Sequence, residues 1–135
     1  MPENINTVNM AEFELLVLKA SGKFQALASH PQLGLRPEWM RELAQHNDPS
    51  VRRTLAINNA LASSPAVALL LATDPEPIVR FFLAVSSIAD KFPEVVERLL
   101  IDPEPDIRRY MQDRIEVVKK LSATLSPRNG LKEER

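Results

Sequence analysis

The prolines constrain this chain more than any other feature. Proline inside a helix removes a backbone donor and clashes with the preceding turn, at a cost of about 3 kcal/mol or more. The sequence holds 11 Pro against only 3 Gly, yet between the prolines it is rich in Leu and Ala, both strong helix formers. The conflict vanishes if the prolines start helices, because the first helical N–H has no intrahelical partner in any case. Their spacing points the same way. Pro37, Pro65 and Pro93 are 28 residues apart, as are Pro49, Pro77 and Pro105, and Pro75 and Pro103 form a further pair in that frame. Eight of the 11 prolines therefore obey one period.

Other residue types keep the same register. Leu43, Leu71 and Leu99 form one column; Val51, Val79 and Ile107 another; Arg52, Arg80 and Arg108 a third; Leu55, Leu83 and Met111 a fourth. A fixed period of this length predicts stacked helical units, each burying its apolar face on the next. The expected fold is all-α: a solenoid of about four short repeats with a 28-residue period. The units run 37–64, 65–92 and 93–120. Residues 9–36 read as a degenerate cap, with Leu15 in the Leu43 column and Leu27-Ala28 under Leu55-Ala56. In that cap Lys23-Phe24 replaces the Val-Arg step and the starting proline is missing. Residues 1–8 are expected to be an N-terminal arm, Ile107 to Leu125 a long closing helix, and 126–135 a flexible tail.

Each unit reads as two short helices. In the second unit Ser64 stands at an N-cap, Pro65 at the first helical position, and the helix runs to about Ala72. Val67, Ala68, Leu71 and Ala72 share its inner face, matching Trp39, Met40, Leu43, Ala44 and Val95, Val96, Leu99, Leu100. The second helix is expected to start near Asp74-Pro75-Glu76-Pro77, with Asp74 as its N-cap and Val79, Phe82 and Leu83 inward. In the cap, Asn9 to Glu12 resembles a helix start. Phe13, Leu16, Val17 and Ala20 recur at helical spacing, widened by Leu15 and Leu18, and are expected to pack on the first repeat. Ser21-Gly22 closes that helix.

The segments Asp74-Pro-Glu-Pro-Ile-Val-Arg80 and Asp102-Pro-Glu-Pro-Asp-Ile-Arg108, the first followed by Leu83-Ala84, resemble the leucine-rich repeat variant family and short HEAT-type repeats. The resemblance covers roughly residues 37–120 and, more weakly, 9–36. It implies a curved, right-handed α-solenoid whose second helices line the concave face. It also implies a structural ladder between units, built from an Asp and an Arg six positions apart. Asp74/Arg80 and Asp102/Arg108 fit this; Arg52 departs, because His46 occupies its Asp position, so the ladder is expected to break there. The cysteine segment of some leucine-rich repeat variant proteins has no counterpart.

Composition then excludes function classes. The 135 residues are 44% hydrophobic and 26% charged, a soluble single-domain balance. The longest apolar run, Ala66 to Ala72, is far short of the roughly 20 residues of a membrane span. No leader pattern opens the chain, so a cytoplasmic protein without membrane contact is expected. Without cysteine there is no disulfide, thiolate metal site or thiol nucleophile. His30 and His46 lack metal-ligand spacing, and neither a nucleophile elbow nor a glycine-rich phosphate loop is present. The chain is read as a non-enzyme without cofactor or metal. Asp74, Glu76, Asp102 and Glu104 recur beside helix-starting prolines, where capping explains them.

Two candidate surfaces remain. The arginine row, Arg52, Arg53, Arg80, Arg108 and Arg109, could grip phosphates, although the net charge of −1 and the matching Asp column oppose it. The other is where the middle unit breaks its own pattern. Leu69 stands between Arg41 and Glu97, Leu70 between Glu42 and Arg98, and Phe81 between Arg53 and Arg109. Apolar groups in charged columns are covered by the chain's own termini, by a second copy in a homodimer, or by a partner. In the partner reading Phe81, Leu69 and Leu70 are the hot-spot residues, rimmed by Arg53, Arg109, Glu42 and Arg98; they need not form one patch, and Phe81, on the second helix, is favoured. The expected function is a protein–protein interaction module of adaptor, chaperone or inhibitor type, an immunity protein being one form. The second reading is a nucleic-acid-binding solenoid. Monomer and homodimer stay open.

Overall fold

The computed structural model describes residues 2–125, with side chains from Met10 onward. Regular structure among them is entirely helical. The α-helices are α1 (Pro2–Ala20), α2 (Phe24–Ala28), α3 (Pro37–Ala44), α4 (Pro49–Ala56), α5 (Pro65–Ala72), α6 (Pro77–Val85), α7 (Pro93–Leu100) and α8 (Pro105–Leu125). Six of the eight begin on a proline of the 28-residue frame, where fixed φ costs the helix nothing.

A third element follows α2, α4 and α6: 3₁₀ segments at Leu33–Leu35, Asn59–Ser63 and Ser87–Lys91. The two-helix reading of a unit missed them. They too obey the period, since Leu33, Leu61 and Ala89 are 28 apart and all fully buried. The elements pack in parallel series. α2, α4, α6 and α8 each lie on the next; so do α3, α5 and α7, and so do the three 3₁₀ segments. The core is made of the sequence columns. Leu15, Leu43, Leu71 and Leu99 are at most 2% exposed, and Leu27, Leu55, Leu83 and Met111 at most 1%. Helices of two turns would be unstable alone, so this burial is what holds them.

The start of the second helix differs from expectation. α6 begins at Pro77, and its N-cap position is Glu76. Asp74 lies further back, and its carboxylate accepts the Glu76 N–H at 2.9 Å. It folds the approach to the helix rather than capping it. Ser64 does stand at the N-cap of α5 but makes no side-chain capping bond.

The N-terminal unit needs two corrections. α1 is continuous from Pro2, so residues 2–8 belong to the helix rather than to a separate arm, and Asn9 is not its start. Its inner face is also not the expected stripe. Phe13, Leu16 and Val17 are exposed, whereas Leu15 is fully buried and Leu18 half-buried against the core. The repeat register placed Leu15 correctly; the amphipathic period of α1 taken alone did not. Trp39 completes the attachment, with Lys19 Nζ at 5.3 Å and Arg36 Cζ at 4.9 Å from its ring centre. α1 closes as anticipated, on Gly22 at φ +70°. The Lys23 and Gly22 amides donate to the Leu18 and Lys19 carbonyls, a Schellman closure that favours glycine at this residue. The tail expected at 126–135 lies outside the described residues.

Candidate functional site

The arginine column is used inside the molecule. Arg52 Nε donates to Asp74 Oδ2 at 2.7 Å, and Arg80 Nε donates to Asp102 Oδ2 at 2.7 Å. Each guanidinium has a second bond to the same carboxylate, and each pair joins one unit to the next. All four residues are buried. The same arginines also donate to a backbone carbonyl six residues back, Arg80 to Asp74 and Arg108 to Asp102, both at 2.6 Å. Arg52 does so to His46, so the first unit keeps the carbonyl half of the contact without an Asp. The His46 ring packs at a tilt of 48° against Phe24, 4.9 Å between centres and 22 positions away, the same separation as the ion pairs. The ladder continues there as an aromatic rung. Arg108 has no carboxylate partner among the described residues.

A second polar column runs through His30, Asn58, Ser86 and Arg114. The first three accept the N–H two residues on through their side chains, which turns the chain after α2, α4 and α6. Asn58 is buried and also donates to the Ala28 and His30 carbonyls, at 2.8 and 2.9 Å. Arg114 donates to the Ala84 carbonyl and to Asp90 Oδ2, at 3.3 and 2.6 Å. Burial alone would lower its pKa; the bonds to Asp90 and Tyr110 outweigh that and hold it above the ordinary arginine value. The spacing of 28 was the signal for this column, but its four different side chains hide the shared task.

A concavity lies between α6 and α8. It is a groove of about 720 Å³, lined by Glu76, Pro77, Ile78 and Phe81 on one side. Glu104, Asp106, Ile107, Arg109, Tyr110 and Asp113 line the other. Phe81 and Tyr110 are half-buried and meet edge to face, 5.8 Å between ring centres. Ile78 is 42% exposed at the edge. Phe81 and Arg109 are thus brought together in one groove. The other candidates are elsewhere. Leu69 and Leu70 rest half-buried against the core, and Leu70 lines a separate cleft beside Arg52 and Asp74. Arg53 covers Phe82 instead, its Cζ 5.3 Å from the ring centre. Glu42 pairs with Lys19 at 3.1 Å, and Arg98 is exposed on α7.

Sequence reasoning found Phe81 because its column is otherwise arginine. It missed Tyr110, whose column of Thr54 and Phe82 reads as an inner face. His30 contacts Glu14 at 2.9 Å. Among the described residues no three His, Cys, Asp or Glu side chains gather as metal ligands, and no helix is long and apolar enough to cross a membrane. Comparison with protein-family models, curated proteins and solved structures returned no match to this chain.

Proposed function

We propose that the chain is a small HEAT-like α-solenoid, of the leucine-rich-repeat-variant type, that acts as a non-enzymatic protein–protein interaction module in the cytoplasm. The three parallel series of packed elements support the solenoid reading. One observation carries the function: an open groove on the second helices, with an aromatic pair at its base and an exposed Ile78 beside it. Such a preformed apolar cleft with a polar margin suits a partner's side chain or short segment, which gains buried area without ordering the host. The groove weighs against the nucleic-acid alternative, because Arg52 and Arg80 are buried in ion pairs and four carboxylates line the opening.

Affinity capture from a lysate of the source cell, with wild type and Phe81→Glu side by side, tests this. Both proteins are first shown to give the same circular dichroism. The expected result is a protein retained by wild type and lost by the variant. Identical captured sets, or retention abolished by nuclease, would remove the groove as the binding surface.

A further inference from the structure

We infer that the α6–α8 groove takes a positively charged peptide segment that inserts one aromatic or long aliphatic side chain, an inference that rests on the groove being the binding surface. Among the described residues the charge of its lining is one-sided: Glu76, Glu104, Asp106 and Asp113 stand against one guanidinium, Arg109. Arg109 neutralises little, since its nearest carboxylate contact, with Asp106, is 3.8 Å between groups 70% and 77% exposed. Glu76 and Glu104, one residue before helix-starting prolines, share their column with Asp48 and suit the positive ends of α6 and α8.

Asp106, in the first turn of α8, suits the same helix end, but Asp113, two turns further on, has no such explanation. Their columns hold Ser50 and Ile78, and Ile57 and Val85. In both columns the acid stands in the unit that lines the groove. Phe81 and Tyr110 line the same groove as those carboxylates and offer ring faces and edges to an apolar anchor or to the stem of a lysine or arginine. A groove with an apolar base and an anionic margin selects by both terms. Neutral apolar segments lack the charge attraction, and acidic or phosphate-bearing ligands are repelled.

The test is a random 12-residue peptide display library panned against the full chain, with enriched sequences synthesised and measured by calorimetry. Binding is compared among wild type, Phe81→Ala and the double variant Asp106→Asn/Asp113→Asn, all checked for unchanged thermal melts. The expected peptides carry net positive charge with an aromatic or long aliphatic residue. They lose affinity on Phe81→Ala, weaken about tenfold on the double variant, and weaken further with added salt. Neutral or acidic peptides that need Phe81 would leave the groove in place and overturn its charge preference. Cationic peptides that need Phe81 but ignore the double variant would do the same. Peptides indifferent to Phe81, or no enrichment at all, would overturn the groove reading itself.

Discussion

Arg80 holds two units together with one side chain: its forked donors take the Asp102 carboxylate of the next unit and the Asp74 carbonyl of its own. Removing it strands a buried carboxylate, which costs about 3–5 kcal/mol. Arg108 occupies the same column, yet its described bond is to a carbonyl alone. Arg108→Ala should therefore cost about 1 kcal/mol, the worth of an ordinary hydrogen bond. Urea denaturation of Arg80→Ala and Arg108→Ala measures the difference; equal losses would show that the carboxylate pairing contributes nothing. Replacing both partners, as Arg80→Met with Asp102→Leu, should cost less than Arg80→Ala, because no charge is then left unpaired. The Asp and Arg columns were plain in the sequence, and so was their spacing of six. That the carboxylate reaches back 22 residues, to the Arg of the preceding unit, while only the carbonyl serves the Arg six residues on was not visible. It depends on how an extended Asp-Pro approach aims its side chain, which residue types do not record.

At the scale of the element, legibility followed length and punctuation. Helices of eight or more residues that open on proline could be bounded from sequence, as α5 shows at both ends. The 3₁₀ segments could not, because three to five residues carry no helical period; what ties down the middle one is a buried amide. Asn58 turns the chain into Asn59–Ser63 and bonds it to two carbonyls of the preceding unit. Asn58→Ala should cost about 2 kcal/mol and raise hydrogen exchange in 24–35 and 59–63, leaving α7 unchanged. Exchange that rises evenly along the chain would mean that Asn58 does not act locally. The cap of α4 adds a pH dependence. The Ser50 hydroxyl and amide donate to Asp48 and hold its carboxyl below the usual carboxylate range. A lowered folded pKa gives stability that is complete above the unfolded value of about 3.9 and is lost as pH falls through the folded one. Melting temperature of Asp48→Asn should therefore fall less steeply with acid than that of wild type over that window; parallel curves would remove the cap from the acid transition.

The whole molecule combines a regular interior with irregular ends. Its column of Leu55, Leu83 and Met111 is fully buried where neighbouring second helices pack on one another. The columns degrade at α1, which docks through Leu15 and the cation-flanked Trp39 while Phe13, Leu16 and Val17 face outward. In a stack of units, stability is a sum of unit terms and neighbour interfaces, so position decides how far damage spreads. Leu83→Ala and Leu15→Ala each remove a fully buried leucine and should each cost about 2–5 kcal/mol by global denaturation. Native-state hydrogen exchange should separate them. Leu83 sits in α6, which packs on both α4 and α8, so its loss should lower protection from α3 through the first half of α8. Leu15 lies in the terminal unit, and its loss should lower protection in α1 and α2 while α5 to α7 keep theirs. Because the α6–α8 groove lies at the opposite end from α1, Leu15→Ala should also leave peptide binding intact under conditions where α1 opens. If both variants expose the same amides to the same extent, the chain unfolds as one cooperative block, and the neighbour-by-neighbour stack fails as a description of its energetics.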